Sequence, residues 1–72
     1  MPPTQIQVES TLLTAVGYDT ARAHLEVEFR SGARYRYASV PADVFTNLLE
    51  AESKGRFFNE HVRSCYAYER LG

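Results

Sequence analysis

A strict alternation of apolar and polar side chains in the middle of the chain constrains the fold more than any other feature. Between residues 24 and 30 every second side chain is apolar, and the alternation resumes after a Ser-Gly pair at residues 31–32. A repeat of two residues is typical of a strand with one buried face. The pattern therefore predicts a β-hairpin with one apolar face. The apolar side chains of its two strands are Leu25, Val27, Phe29, Tyr35 and Tyr37.

The length of the hairpin loop decides which face the two tyrosines occupy. A two-residue loop at residues 31–32 would place Tyr35 opposite Glu28 and would mix apolar with charged side chains on both faces. A three-residue loop at residues 30–32, with Gly32 in the left-handed conformation, avoids this mixture and is the loop we predict. The pairs that it predicts are Leu25 with Tyr37, Val27 with Tyr35, Glu26 with Arg36 and Glu28 with Arg34.

Two helices are predicted after the hairpin. Pro41 suits a first helical position, and the apolar spacing that follows it extends the first helix to about Ser53. We interpret Gly55 as the left-handed stop of that helix. Asn59 is then the expected cap of a second helix. The apolar side of this second helix is formed by Phe58, Val62, Cys65 and Tyr66.

The segment before the hairpin adds strands to the predicted fold. Residues 12–18 are rich in strand-forming side chains, and Ile6 and Val8 alternate with polar residues, which indicates a first strand or an extended lead-in. Strands followed by two helices predict an α+β fold, in which a small antiparallel meander sheet of three to four strands packs against two C-terminal helices. Because 72 residues suffice for one domain only, we expect a single domain over residues 8–72 after an extended lead-in at residues 1–7.

Charge and cysteine content exclude several classes of function. Eight Lys and Arg against nine Asp and Glu give a formal net charge of −1, so any binding to nucleic acid has to use a local basic patch. Cys65 is the single cysteine, which excludes intrachain disulfides and thiolate zinc sites. The first residues lack the basic and apolar segments of a secretory signal, and no apolar run is long enough to span a membrane. We therefore expect a cytoplasmic protein without a membrane partner.

Few residues could carry catalysis or bind a metal. His61 and Cys65 are four residues apart, a spacing at which the two side chains of a thiolate pair meet on a helix. Cys65, however, falls on the apolar side of the predicted second helix, and we interpret it as a buried structural residue. His24 and His61 lack a third metal ligand, and the separated glycines form no phosphate-binding loop. The sequence therefore predicts a protein that is not an enzyme and uses no metal, cofactor or small-molecule substrate.

Tyrosines and arginines lie close together in the sequence, a combination that commonly holds single-stranded RNA. Core packing is the favoured interpretation of Tyr35 and Tyr37, and stacking of successive bases is the alternative. In the core-packing interpretation, the open face of the sheet carries Arg22, Arg30, Arg34 and Arg36 together with Glu26 and Glu28, a mixture that tracks phosphates poorly. Tyr68, predicted on the second helix, is the better surface candidate. The candidate nucleic-acid-binding residues are Arg34, Tyr35, Arg36, Tyr37, Arg63 and Tyr68.

An ordered series of short motifs spans about residues 8 to 71. It consists of Ser10-Thr11 with Leu13, Val16-Gly17-Tyr18-Asp19, Leu25-Glu26-Val27-Glu28-Phe29 with Gly32, Tyr35-Arg36-Tyr37, Val40-Pro41, Ala51 with Ser53 and Gly55, Phe58-Asn59, and Val62 with Tyr66. This series resembles the KTSC domain family, short modules found at the C-terminus of some lysyl-tRNA synthetases and alone in bacterial proteins. The chain departs from the family at Thr11, where a second serine is common.

The resemblance implies a small bacterial binding module without catalytic activity, and the synthetase context suggests RNA as its partner. The alternative is a protein–protein interaction or homo-oligomerisation module, whose partner is another protein or a second copy of the chain. A core this small is marginally stable alone, and edge strands can pair with another chain, which favours that alternative.

Overall fold

The computed structural model describes residues 5–72 and shows a five-stranded antiparallel sheet with two helices. The predicted α+β meander is confirmed, with more strands than the three to four expected. The elements in chain order are β1 (Ile6–Gln7), β2 (Leu13–Asp19), β3 (His24–Phe29), β4 (Arg34–Tyr37), α1 (Ala42–Glu50), α2 (Lys54–His61) and β5 (Tyr68–Arg70). Each strand pairs with the next in sequence, so the sheet order is β1-β2-β3-β4-β5.

The register of the β3–β4 hairpin is the predicted one. Val27 pairs with Tyr35 and Leu25 pairs with Tyr37, so both tyrosines share the apolar face. The loop has three residues, because the backbone N–H of Phe29 donates to the carbonyl of Ala33 at 2.9 Å. Gly32 closes the loop with a φ of 95°, a backbone conformation that favours glycine.

The helices begin and end at residues other than those predicted. Helix α1 ends at Glu50, and α2 already begins at Lys54, because the Ser53 hydroxyl caps it by accepting a hydrogen bond from the backbone N–H of Arg56 at 3.3 Å. The expected cap at Asn59 is therefore wrong. The expected stop at Gly55 is also wrong, since this glycine lies inside α2.

Gly55 allows α2 to pass close to the segment that leads into β2. A Cβ atom added at Gly55 would lie 3.2 Å from the Cβ of Leu12, which is tighter than ordinary van der Waals contact. The glycine therefore serves the packing of the helix on the sheet. Sequence spacing alone does not distinguish this role from a helix stop.

The region after α2 differs most from the prediction. The chain turns at Val62 and returns as β5, which pairs with β4 and places Tyr68 opposite Tyr37. The sheet therefore gains its fifth strand after the helices, and the prediction that Tyr68 lies on a helix is wrong. Cys65 lies in the connection to β5 and is exposed, which contradicts its interpretation as a buried structural residue.

The hydrophobic core lies between the helices and one face of the sheet. Phe58 of α2 is fully buried and meets Phe29 and Tyr37 edge-on, with ring centroids 5.4 Å apart in both pairs. The remaining buried apolar side chains come from the strands, from the β4–α1 connection, from α1 and from the end of α2. They are Leu13, Val16, Leu25, Val27, Val40, Leu48 and Val62. Ala15 is also buried, but it pairs with Glu28 and is not part of this core cluster.

The first seven residues are described only in part. Residues 1–4 of the predicted lead-in lie outside the described residues, whereas Ile6 and Gln7 pair with Val16 and Ala15 of β2. None of the helices within residues 5–72 reaches the length and apolar character that crossing a membrane requires.

Candidate nucleic-acid interface

Three tyrosines form a cluster on the helix-covered face of β4 and β5. Antiparallel pairing places Tyr37 directly opposite Tyr68. Tyr35 lies two residues before Tyr37, on the same face of β4. The ring centroid of Tyr68 lies 5.5 Å from those of both Tyr35 and Tyr37. The Tyr35 and Tyr37 rings are 6.5 Å apart and stacked at 26°. The strand register thus brings together three aromatic rings, of which one comes from the far end of the sequence.

Exposure to solvent differs greatly among these rings. Tyr37 is only 3% exposed, Tyr35 is half-buried, and Tyr68 is 60% exposed. The alternative interpretation, in which Tyr35 and Tyr37 stack successive bases, is therefore wrong for Tyr37, whose ring packs against Phe58. Tyr68 is the ring whose surface is available to a ligand.

The hydroxyl groups of the cluster are not used by the fold. Of the tyrosine hydroxyls in residues 5–72, only that of Tyr18 forms a hydrogen bond with another described residue, donating to the carbonyl of Val40. Burial raises the pKa of Tyr37, the charge of Arg63 opposes this shift, and the neighbouring Tyr35 and Tyr68 add to it. The Tyr37 phenol is therefore held in its neutral form and can act as a hydrogen-bond donor.

The cluster forms one wall of a cavity of about 630 Å³, which we call the tyrosine pocket. Two arginines, Arg30 and Arg63, also line it, and no carboxylate does. The remaining lining residues are Thr11, Leu12, Phe29, Ser31 and Ala33. In a chain whose net charge is −1, a pocket with two guanidinium groups and no acidic side chain is locally electropositive.

Neither arginine of the tyrosine pocket is neutralised by a carboxylate of the described chain. The salt bridges within residues 5–72 involve Arg22, Arg36 and Arg56 instead. Arg63 lies two residues after the end of α2, and its backbone N–H donates to the carbonyl of Phe58 at 2.9 Å. Both guanidinium groups therefore remain available to an anion.

Four of the six predicted binding residues meet in the tyrosine pocket and two do not. Tyr35, Tyr37, Arg63 and Tyr68 line it. Arg34 and Arg36 lie on the opposite face of the sheet, the open face, which also carries Glu26, Glu28 and Glu69. Arg36 forms salt bridges there with Glu69 at 3.0 Å and with Glu26 at 3.5 Å. Arg36 is therefore engaged by acidic groups on the open face, whereas Arg34 forms no salt bridge within residues 5–72 but shares that face with three glutamates.

Arg30 is the residue of the pocket that sequence reasoning missed. It was expected on the open face, because the alternation that ends at Phe29 places the next residue there. In the structure residue 30 begins the hairpin loop, where the alternation no longer applies, and its side chain lines the tyrosine pocket. The predicted three-residue loop was the available signal for this departure.

The residues considered for catalysis do not form the expected arrangements. Helix α2 ends at His61, so Cys65 does not lie one helical turn further along the same helix. His24 lies at the start of β3, on a different element from His61. Within residues 5–72 no group of three or more His, Cys, Asp or Glu side chains is placed to hold a metal ion.

Comparison with known proteins identifies the family. The family model described as "KTSC domain" matches residues 9–66 of this chain. The chain belongs to the KTSC domain family. A relative from Stutzerimonas stutzeri with the name "Uncharacterized protein" is 50% identical over 68 residues, which cover 93% of this chain and 96% of the relative.

Larger proteins carry similar sequences. A lysine–tRNA ligase from Nostoc sp. is 33% identical over 66 residues, which cover 92% of this KTSC chain but only 12% of the ligase. A crystal structure of a KTSC domain protein from Yersinia pestis superposes with a TM-score of 0.95 at 31% identity and covers 99% of this chain and 100% of that one. The family model ends at residue 66, before β5. The structural match covers 99% of this chain and therefore includes β5, the strand that carries Tyr68.

Proposed function

We propose that this KTSC domain is a non-catalytic module that binds single-stranded RNA in the tyrosine pocket. The observation that carries the proposal is the meeting of Tyr35, Tyr37 and Tyr68 with Arg63 in a pocket without carboxylates. Exposed aromatic rings stack on bases, and unpaired arginines bind phosphates. The similarity to a region of a lysine–tRNA ligase also supports RNA as the partner.

Each pocket residue has a distinct role in this proposal. Tyr68, the exposed ring, stacks on a base, while the neutral Tyr37 hydroxyl donates a hydrogen bond to the ligand. Arg63 binds the phosphate next to that base. Arg34 and Arg36, which we predicted as binding residues, remain candidates only for secondary contacts of a strand that crosses the edge of the sheet. A binding module of this kind acts in the cytoplasm, where RNA is its partner.

Fluorescence anisotropy with a labelled single-stranded RNA tests the proposal. The intact chain should bind at low salt and lose affinity as salt rises, because phosphate contacts release counterions. Tyr68→Ala should weaken binding by about tenfold, since one base–aromatic stack contributes about 1–3 kcal/mol. Arg63→Gln should lower the slope of log affinity against log salt by about 0.7, the value for one phosphate contact with a single strand.

Arg56→Gln is the matched control for Arg63→Gln. Arg56 lies on α2 with an exposed side chain, contacts Glu60 at 3.9 Å, and does not line the tyrosine pocket. Its substitution should leave RNA affinity close to that of the original chain. Absence of RNA binding at low salt, or equal losses in the two arginine variants, would contradict the proposal.

The second candidate is a protein-interaction or homo-oligomerisation module. The observation that favours it is that β5 lies at the edge of the sheet with all three of its residues exposed. An edge strand of this kind can add a strand from another chain. Light scattering on the intact chain at rising concentration should then show a dimer, and Glu69→Pro should abolish it. A mass that stays monomeric throughout would exclude self-association.

A further inference from the structure

Arg30 is held at the rim of the tyrosine pocket by two hydrogen bonds to the segment before β2. Its backbone N–H donates to the carbonyl of Leu12 at 2.9 Å, and its Nε donates to the carbonyl of Ser10. Ser10 is itself fixed, because its hydroxyl oxygen accepts hydrogen bonds from the backbone N–H groups of Leu12 and Leu13 at 3.1 and 3.3 Å. A guanidinium tethered through Nε keeps its two Nη groups for a ligand.

Arg63 provides a second guanidinium in the same pocket. Arg63 and Tyr37 line the same pocket, and the positive charge of Arg63 acts to lower the pKa of the Tyr37 phenol. Arg30 reaches the pocket from the hairpin loop and Arg63 from the end of α2, so the two come from separate elements. Two arginines that line one cavity, with no carboxylate among its lining residues, are donors suited to a compact anion such as phosphate.

The dimensions of the pocket limit how much of a ligand it can hold. A volume of about 630 Å³ lies within the range of about 300–1,000 Å³ found for small-molecule sites. Tyr68 is the single ring of the cluster with most of its surface exposed, and the Tyr37 ring is covered by Phe58. The pocket therefore has room for a nucleotide, and the cluster offers one exposed ring on which its base can stack.

We propose that the tyrosine pocket is a single-nucleotide site in which Arg30 and Arg63 bind one phosphate group while the attached base lies against Tyr68. The inference rests on the proposed function for the class of ligand. It adds Arg30 as a phosphate-binding residue and one nucleotide as the size of the site. A free nucleoside monophosphate and one nucleotide of an RNA strand present this same chemistry.

NMR titration of the intact, nitrogen-15-labelled chain with adenosine monophosphate and with adenosine tests the inference. The monophosphate should shift the Nε–H signal of Arg30 and the amide signal of Tyr68. Adenosine should bind at least about tenfold more weakly, because it lacks the charged group that two guanidinium groups recognise. Arg30→Gln and Arg63→Gln should each weaken the monophosphate by about tenfold and leave adenosine unchanged.

Two variants keep the test informative. Arg56→Gln is the control and should change neither affinity. Loss of the dispersed amide spectrum would show that Arg30→Gln disturbs the hairpin. In that case Arg63→Gln still tests the phosphate site, because the Arg63 side chain forms no salt bridge with another residue of the described chain. Equal affinities for the monophosphate and adenosine, or a monophosphate affinity that Arg63→Gln does not change, would overturn the inference.

The single-nucleotide site and the binding of single-stranded RNA can fail independently of each other. If RNA binds in the anisotropy titration and its affinity is unchanged by Arg30→Gln, the inference is wrong and the proposed function stands. If the monophosphate binds as expected but no RNA binds, the single-nucleotide site is supported with a free nucleotide as its ligand, and the proposed function is wrong.

Discussion

Tyr37 belongs both to the hydrophobic core and to the lining of the tyrosine pocket. Its ring packs edge-on against Phe58 in the core, and the residue also lines the tyrosine pocket together with Arg63. The alternation in the sequence places the ring on the apolar face, but it does not show what the hydroxyl meets. The neighbouring charge comes from Arg63, which is distant from Tyr37 in the sequence and comes close to it only because α2 packs against the sheet.

The raised pKa of Tyr37 predicts a change of stability at alkaline pH. Burial favours the neutral phenol, so the folded chain holds this proton more tightly than the unfolded chain does. The resulting stabilisation is fully present below the unfolded tyrosine pKa of about 10 and is lost as pH rises through the folded pKa. Ultraviolet difference spectroscopy should therefore show a tyrosine that titrates above the ordinary value of about 10.

Two variants assign that titration. Tyr37→Phe should remove the late-titrating group, while Tyr68→Phe, which alters an exposed ring, should leave it in place. Arg63→Gln should raise the pKa of Tyr37 further, because the Arg63 charge acts to lower it. A titration in which no tyrosine ionises above the ordinary range would contradict the burial of this phenol.

At the scale of elements, the three-residue hairpin loop depends on Gly32. Its φ of 95° is strained for any residue with a Cβ atom, even though no atom lies within 4 Å of an added Cβ. Gly32→Ala should therefore lower the free energy of unfolding by about 1–2 kcal/mol through backbone strain alone. Urea denaturation measures this loss, and Ser31→Ala in the same loop is the control, with an expected change below about 0.5 kcal/mol. Equal effects of the two substitutions would mean that the loop has another conformation.

The elements that could be predicted from the sequence are those whose signals lie within the element. The hairpin register follows from alternation and from the position of Gly32, and both were present in the sequence. The start of α2 was missed because Ser53 and Gly55 carry competing signals, a cap and a stop, and the contact of Gly55 with Leu12 decides between them. Strand β5 was missed because three residues carry too short a pattern, and its pairing with β4 is a tertiary contact.

The residues of the candidate site also divide into those that the sequence predicts correctly and those that it does not. Tyr35 and Tyr37, which are two residues apart on one strand, were correctly predicted to share a face. Tyr68 was correctly predicted to be the exposed ring. It placed Arg30 on the wrong face, since a loop residue escapes the strand alternation. Arg34 and Arg36 were included because they are neighbours of the tyrosines in sequence, although neighbours along a strand point to opposite faces of the sheet.

At the scale of the whole molecule, one small core supports both the fold and the pocket. Val27 is 1% exposed in the central strand of the sheet, and Val27→Ala should destabilise the chain by about 2–4 kcal/mol, a large part of the stability of so small a domain. Ile6→Ala at an edge strand, where the side chain is 41% exposed, should cost far less. Thermal melts of the two variants compare them directly, and a melting temperature barely changed by Val27→Ala would show that the core is assigned wrongly.

The most direct test of the account is to map bound single-stranded RNA on the chain by nitrogen-15 NMR at low salt. We expect the largest amide and side-chain shifts at Arg30, Ser31, Arg63 and Tyr68, which surround the tyrosine pocket. The open face, with Glu26, Arg36 and Glu69, should change little. Shifts centred on that open face, or a spectrum that RNA does not alter, would contradict the assignment of the tyrosine pocket as the binding site.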